Sequence, residues 1–321
     1  MNNTVSTKRD FSIDILKFLA VLLITNSHFD ILYPADWAFL GTGGAIGDAL
    51  FFFCSGFTLF LKPAGRFDLW YKKRIRRIYP SVIMWALLAA VVFSSKKSVD
   101  DAILYGAWFI SCIMIYYVVI YMIHRFWLNK IIFAFLAILT VVVYLCIEKP
   151  DDYNIYGDTY LKWVFFFMFM LQGAFLGRER NKTYNLTKSF ILTIVSLLTY
   201  YAILIICKVG IFSNYMQLLS LFFLLMLIRN LYTLFSTNMS RLFASRYIKS
   251  VVVFIGGLCL EIYLVQGIMI CLCASISFPL SILFATVGIV LLACVLRVLS
   301  RFFTQTFAKE DYDWRKIFSL N

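Results

Sequence analysis

The chain has 321 residues, of which 62% are hydrophobic and only 15% are charged, and its mean hydropathy is +0.84. Soluble globular domains are about a quarter charged, so this composition excludes a soluble protein and predicts an integral membrane protein. The formal net charge of +13 does not indicate nucleic-acid binding, because the basic residues are distributed over alternate loops.

Apolar runs separated by short polar breaks recur along the whole chain, and a membrane-spanning helix needs about 20 apolar residues. We therefore predict an all-α fold, a polytopic helical bundle with about ten transmembrane helices that forms one membrane-embedded domain over residues 1–321. The predicted spans are 12–33, 46–62, 78–94, 107–123, 131–147, 161–177, 189–207, 211–228, 251–273 and 279–298, followed by a C-terminal tail from about residue 299 to 321.

The basic residues orient this bundle. If the N-terminus is inside, the predicted outer loops hold only four of the 30 Lys and Arg residues, namely Lys96, Lys97, Lys149 and Lys208. An excess of Lys and Arg is typical of cytoplasmic loops. We therefore predict that both termini are cytoplasmic.

The first predicted span contains two polar interruptions, Lys17 and His28, in the sequence IDILKFLAVLLITNSH. At 3.6 residues per turn their spacing puts both side chains on one helix face, about 16 Å apart along the axis. A charge and an imidazole on one face of a membrane helix are costly unless they line a cavity or a partner helix. Imidazole titrates near neutral pH, so we predict that His28 is a catalytic base in a membrane-embedded tunnel.

Each of these residues also has a structural interpretation. Lys17 is near enough to the predicted inner surface to extend its ammonium group to the lipid headgroups, or to pair with Asp14 three residues earlier. His28 is equally suited to an interfacial position near the outer headgroups. Their common face favours the functional interpretation.

The predicted loop before the third span ends in LWYKKRIRRIYP, which contains Lys72, Lys73, Arg74, Arg76 and Arg77. Topology alone does not require so dense a cluster. On a helix Arg74 and Arg77 share a face, and two guanidinium groups on one face can bind phosphates bidentately. The pattern predicts a phosphorylated cytoplasmic ligand such as a nucleotide or coenzyme A, with anionic lipid headgroups as the alternative.

Two further segments carry candidate support residues. In the second span, Ser55 and Gly56 permit close approach of another helix, and both a packing role and a site role stay open for Ser55. Trp108, at the start of the fourth span, is predicted to be an interfacial belt residue or a ligand contact.

The ninth span, GGLCLEIYLVQG, places Glu261 in an apolar run. A carboxylate buried in this way needs a basic partner or a proton, and is a functional candidate by default. Tyr263 and Gln266 add hydrogen-bonding groups nearby. The eight cysteines lie in apolar runs without CxxC spacing, so we predict packing roles for them, no metal site and no permanently bound cofactor.

Together these segments resemble the membrane acyltransferase 3 family, integral membrane O-acyltransferases of surface glycans, lipopolysaccharide and peptidoglycan. The resemblance rests on DILKFLAVLLITNSH, GDALFFFCSGF and RIRRIYP, with GAWFI and LEIYLVQ as weaker matches. It implies that acyl-CoA, most simply acetyl-CoA, is the co-substrate and binds from the cytoplasm at Arg74 and Arg77, with Lys73 and Arg76 beside them. It also implies that His28 is the catalytic histidine.

The chain departs from the family pattern at two positions. Lys17 stands where arginine is commoner, which keeps the charge but loses bidentate geometry. Gln266 stands where many members have histidine, so any role of that histidine is absent here.

The predicted function is transfer of an acyl group, in the first place acetyl, from acyl-CoA to a sugar hydroxyl of a cell-envelope or exported polysaccharide or glycolipid. His28 would deprotonate the hydroxyl, and the alkoxide would attack the thioester. The expected location is a bacterial cytoplasmic membrane, and the expected partners are acyl-CoA, the glycan acceptor, membrane lipids and glycan-assembly proteins, with no nucleic acid.

Two alternatives remain. The chain could be a transporter or flippase for a polysaccharide or anionic solute, with the same buried charges lining a pathway. It could also be an inactive assembly partner of the same fold. The lack of an internal repeat and the location of the basic cluster at one membrane face favour the enzyme.

Overall fold

The computed structural model describes residues 10–59, 61, 65–92, 107–126, 132, 135–142, 155–156, 161–178, 182–243, 245–308 and 310–319. These residues form helices and turns, with no strand among them. The helices are α1 Phe11–Ser27, α2 Gly44–Leu59, α3 Phe67–Val92, α4 Ala107–Arg125, α5 Lys162–Arg178, α6 Leu186–Lys208, α7 Gln217–Phe235, α8 Arg246–Gly257, α9 Cys259–Cys273, α10 Leu280–Thr306 and α11 Trp314–Phe318. Short 3₁₀ segments occupy His28–Leu32, Ala35–Leu40, Asn214–Met216 and Asn238–Phe243.

In the part of the chain that the structure describes, six helical segments are long and apolar enough to cross a membrane. They are Phe11–Leu32, Ala35–Leu59, Trp108–Arg125, Leu186–Lys208, Asn214–Phe235 and Leu280–Thr306. α8 and α9 qualify together as a seventh span but are bent by 73° at the break between them. The chain is therefore an all-helical, multi-pass membrane protein, whereas the number ten and the cytoplasmic placement of the termini stay predictions.

The prediction that a loop precedes the third span is wrong. α3 begins at Phe67 and runs for 26 residues, so the basic segment is helical and continuous with the apolar part of the helix. A buried stripe at helical spacing explains this, because Trp70, Ile78, Ser81 and Trp85 all face the bundle. Arg74 and Arg77 therefore share a helix face, as predicted.

Other boundaries also differ. α7 occupies 217–235 rather than 211–228, because Ser213 caps a polar turn through Tyr215 and the apolar run continues to Phe235. The predicted tail from residue 299 begins as the end of α10, which continues to Thr306. Of the predicted fifth span, only residues 132 and 135–142 are described, and the segment 148–160 lies outside the described residues except for 155–156.

α1 lies at the centre of the bundle and contacts α2, α7, α8 and α9. It begins at Asp10, whose side chain accepts a hydrogen bond from the Ser12 backbone N–H at 3.0 Å. It ends at His28, which is the C-cap residue. Most side chains of α1 are therefore buried or half-buried, and Leu22 is an exposed one.

α2 crosses α5 at very short distance. A Cβ atom added at Gly56 would overlap the backbone carbonyl oxygen of Met170, and one added at Gly173 would overlap that of Phe53. Small residues permit this kind of approach in membrane helices. The crossing fixes the face of α2 that carries Ser55.

We expect Gly56→Ala to lower the thermal stability of the protein, because a carbonyl on a packed helix cannot move away from the new methyl group. Overpacking of this kind costs about 1–3 kcal/mol. Thermal unfolding in detergent measures the effect. Gly65→Ala is the control, since no described residue apart from its two chain neighbours has an atom within 4 Å of its added Cβ. Equal Tm values for the two variants would contradict the close crossing.

Candidate active site

A cavity of about 300 Å³ lies between the helices near the ends at which α1 begins and α2 and α10 end. We call it the basic cavity because six basic side chains line it: Lys17, Arg74, Arg76, Arg77, Arg297 and Arg301. Glu261 is the one carboxylate among the described residues that line it. A partly enclosed space with this excess of positive charge favours an anionic ligand.

α3 supplies the basic residues that were predicted to bind phosphate. The Arg74 guanidinium carbon lies 4.8 Å from the centre of the Trp70 ring and 5.8 Å from that of Tyr117, so two aromatic rings hold it in place. Its Nε atom is buried and has no hydrogen-bond partner among the described residues. Arg77 lines the cavity one turn later.

Arg76 also lines the basic cavity, whereas Lys73 is exposed and is not one of its lining residues. Lys73 precedes Arg74 by one position and therefore leaves the helix about 100° away from it. The structure thus brings three of the four predicted phosphate-binding residues to one space and leaves Lys73 outside.

Glu261 is buried and forms a bidentate ion pair with Arg297 of α10. Arg297 Nε donates to Glu261 Oε1 at 2.9 Å, and Nη2 donates to Oε2 at 2.6 Å. The hydroxyl of Ser81 donates to the same carboxylate at 2.8 Å and lies 3.1 Å from the hydroxyl of Ser300. The sequence requires a basic partner or a proton for Glu261, and the structure supplies the basic partner.

The same arginine connects the two halves of the broken span. Helix ends leave backbone carbonyls without intrahelical partners, and the Gly257 carbonyl at the end of α8 accepts a hydrogen bond from Arg297 Nη2. Glu261 lies in the first turn of α9, where a carboxylate also complements the helix dipole. The bend between α8 and α9 is therefore stabilised from α10.

A second cavity follows along α1, with room for about one water-sized group. We call it the small cavity. Its lining comes from four helices. α1 supplies Val21, Ile24 and Thr25, α9 supplies Ile262, Tyr263 and Gln266, and the cavity shares Phe51 of α2, Phe109 of α4 and Cys259 of α9 with the basic cavity. The Phe51 and Phe109 rings pack edge to face with centroids 4.7 Å apart, and the two cavities adjoin at this ring pair.

The polar positions of α1 follow one face past both cavities. Lys17 lines the basic cavity and Thr25 lines the small one. His28 comes one turn after Thr25, and residues three apart on a helix are neighbours. His28 is half-buried and is not one of the lining residues of either cavity. Lys17 thus lines the basic cavity, and His28 follows one turn after Thr25, which lines the small cavity.

The remaining predicted residues are placed as follows. Ser55 lines the basic cavity, and its hydroxyl shares a hydrogen bond of 3.0 Å with the Tyr117 hydroxyl, so it has both a packing neighbour and a site position. Trp108 lines neither cavity; its ring centre lies 4.4 Å from Lys162 Nζ. Asp14 is buried and lines neither cavity.

Sequence reasoning missed the contribution of α10. Arg297, Ser300, Arg301 and Thr304 all line the basic cavity. Their spacing of three, one and three residues puts them on one face of a helix. That polar stripe in an otherwise apolar run was the available signal, but the two arginines were interpreted only as topological charges.

We expect Glu261→Gln to destabilise the protein, because Arg297 then lacks its counter-charge. Breaking a buried pair costs about 3–5 kcal/mol, and partial solvent exposure of Arg297 reduces that figure. The double variant Glu261→Gln/Arg297→Gln should recover much of the loss, since neither charge is left alone. Thermal unfolding in detergent measures both variants.

The control for this prediction is Asp68→Asn, which breaks the exposed ion pair between Asp68 and Arg66. Exposed pairs contribute little, so this variant should unfold near the wild-type temperature. If Glu261→Gln unfolds at the same temperature as Asp68→Asn, the buried ion pair between Glu261 and Arg297 does not stabilise the protein.

The comparisons with known proteins identify a family. No curated protein and no protein of solved structure matches the chain. A family model described as an acyltransferase domain, that of acyltransferase family 3, matches residues 10–300 and so covers α1 through most of α10. The chain therefore belongs to acyltransferase family 3, and its kind of function is that of a membrane acyltransferase.

Proposed function

We propose that the chain transfers an acetyl group from cytoplasmic acetyl-CoA to a sugar hydroxyl of a cell-envelope or exported polysaccharide or glycolipid, in a bacterial cell membrane. One observation carries the proposal: a cavity lined by Lys17, Arg74 and Arg77 lies at one end of the polar face of α1, and His28 lies at the other. Helix α1 thus carries Lys17 at a basic cavity that suits an anionic donor, and His28 toward the opposite membrane face. This arrangement suits transfer of an acyl group from a donor on one face to an acceptor on the other.

The basic cavity suits the phosphates of coenzyme A. Coenzyme A carries a pyrophosphate and a 3′-phosphate, and arginine binds phosphate through charge-assisted, often bidentate hydrogen bonds. Arg74 is held by Trp70 and Tyr117 and still has a buried donor without a partner among the described residues. A preorganised guanidinium of this kind loses less entropy on binding than a free one.

The small cavity favours a short acyl group. Its walls are mainly apolar, and it has room for about one water-sized group. A pantetheine arm that extends from the basic cavity would bring its thioester to the Phe51 and Phe109 ring pair. The methyl of an acetyl group would then occupy the small cavity, which leaves no room for a longer chain.

His28 acts as the general base in this scheme. It takes the proton from the sugar hydroxyl, which arrives from the membrane face opposite the basic cavity, and the resulting oxygen attacks the thioester carbon. Acetyl is transferred and the coenzyme A thiol is released. Lys17 contributes positive charge on the donor side, where the anionic coenzyme is bound.

We expect Arg74→Ala/Arg77→Ala to weaken binding of acetyl-CoA. Hydrogen bonds to charged groups contribute about 1.5–3 kcal/mol each, so the dissociation constant should rise at least roughly tenfold for each guanidinium that contacts phosphate. Isothermal titration in nanodiscs of neutral lipid measures the binding and excludes anionic headgroups as competitors.

The matched control for binding is Lys72→Ala/Lys73→Ala. It removes the same charge from the same turn of α3, but both lysines are exposed and neither lines the basic cavity. This variant should bind acetyl-CoA nearly as wild type does. Equal weakening in both double variants would contradict a phosphate site at Arg74 and Arg77, and no binding by wild type would contradict the proposed donor.

We expect His28→Ala to lose transfer while it keeps acetyl-CoA binding. General-base catalysis contributes about 10²–10⁴-fold to a rate. The measurement is transfer of radiolabelled acetyl from acetyl-CoA to glycan or lipid-linked material in membranes of the native host, at equal protein levels.

The second histidine of the chain supplies the control for transfer. His124 lies in α4, where its ring contacts Arg178, and it lines neither cavity. His124→Ala should therefore transfer at close to the wild-type rate. Full transfer by His28→Ala would exclude His28 as the base, and no transfer by wild type would favour a transporter or an inactive assembly partner.

A further inference from the structure

Gln266 has a buried hydrogen-bond donor that none of the described residues accepts from. The side chain is fully buried on α9 and lines the small cavity. Its Oε1 atom accepts a hydrogen bond of 3.2 Å from the Thr25 hydroxyl, whereas its Nε2 atom has no partner among the described residues. Leaving a buried amide donor unsatisfied costs free energy, so such a group calls for an explanation.

The position of this donor points to the reacting group. Thr25, which holds the Gln266 carbonyl, lies one helical turn before His28. The small cavity adjoins the basic cavity at the Phe51 and Phe109 ring pair. Gln266 is therefore between the proposed donor end and the proposed base, at the place where a thioester carbonyl would arrive.

The apolar surroundings of Gln266 strengthen any hydrogen bond that its amide group donates. Val21, Ile24, Phe51 and Ile262 supply apolar walls to the small cavity. A hydrogen bond in apolar surroundings is electrostatically stronger than one in water. Because the Thr25 contact fixes the amide through its oxygen, the N–H groups are oriented before a ligand arrives, and little reorganisation is needed when charge develops.

We propose that Gln266 Nε2 donates a hydrogen bond to the carbonyl oxygen of the bound acyl group and stabilises the oxyanion that forms there. This assignment rests on the proposed function. It makes Gln266 a catalytic residue that contacts the reacting atoms.

The step balances as follows. His28 takes the proton of the sugar hydroxyl, the hydroxyl oxygen forms a bond to the thioester carbon, and the carbonyl π electrons move to the carbonyl oxygen, which accepts from Gln266. When this intermediate collapses, the electron pair restores the carbonyl and the carbon–sulfur bond breaks. The sulfur leaves as the thiolate of coenzyme A and receives the proton from His28.

The direct test compares two ligands that differ at the carbonyl. Acetyl-CoA has a carbonyl group next to the sulfur, and S-ethyl-CoA has a methylene group in place of that carbonyl group. Wild type should bind acetyl-CoA more tightly, by roughly fivefold for one hydrogen bond. In Gln266→Leu this preference should disappear while the dissociation constant of S-ethyl-CoA stays unchanged. Isothermal titration of purified full-length protein in nanodiscs measures both ligands.

Infrared spectroscopy gives a signature that a purely structural role would not change. The carbonyl stretch of ¹³C-labelled acetyl-CoA should move to lower frequency on binding to wild type and should lose that shift in Gln266→Leu. Gln172→Leu is the control, because it removes a glutamine amide of α5, which donates to the Leu225 carbonyl and lines neither cavity. It should retain both the shift and the ligand preference.

Two further variants keep the test decisive if Gln266→Leu folds poorly. Gln266→His retains an N–H donor and should retain the carbonyl shift, whereas Gln266→Met has a side chain of similar length without an N–H donor and should abolish it. In the transfer assay Gln266→Leu should lose roughly 10²–10³-fold in rate, the effect of removing one oxyanion donor.

The outcomes separate this inference from the proposed function. If wild type binds neither ligand, the proposed function fails. If wild type binds both ligands but Gln266→Leu and Gln266→Met keep the wild-type preference and carbonyl shift, the assignment of Gln266 is overturned while the proposed function stands.

Discussion

A positive charge buried among apolar helices requires a counter-charge, an aqueous space or an anionic ligand, and the centre of this protein is arranged around that requirement. Glu261 neutralises Arg297 through a bidentate pair. The other basic groups, among them Lys17, Arg74 and Arg77, face a cavity in which Glu261 is the one carboxylate among the described lining residues. The excess positive charge favours an anionic ligand in that cavity, and the chain belongs to acyltransferase family 3.

The helices position these charges through contacts that small residues permit. α2 crosses α5 at Gly56 and Gly173, and α8 meets α1 at Gly256, where an added Cβ would lie 3.2 Å from the Asp14 carbonyl oxygen and 3.3 Å from Lys17 Cβ. The break between α8 and α9 brings the Gly257 carbonyl and Glu261 to the same arginine. Rigid crossings and one broken span together hold the polar groups around an open space.

Sequence periodicity was sufficient to predict which side chains share a face of one helix. The common face of Lys17 and His28 follows from 3.6 residues per turn, and so does that of Arg74 and Arg77. The partner of Glu261 could not be predicted, because it depends on how α9 packs against α10, 36 residues along the chain. The start of α3 was misjudged because dense charge resembles a loop. The catalytic role of His28 comes from chemistry and family resemblance and stays a prediction.

The proposed function requires bound coenzyme A to lie in a single orientation. It would extend from the basic cavity, past the Phe51 and Phe109 rings, toward His28. A cryo-EM structure of the protein with S-ethyl-CoA in lipid nanodiscs tests this most directly. We expect phosphate density beside Arg74 and Arg77 and sulfur density at the Phe51 and Phe109 rings, with the ethyl group directed toward Gln266. Coenzyme A density on the lipid-facing surface, or with its sulfur away from the small cavity, would contradict the path.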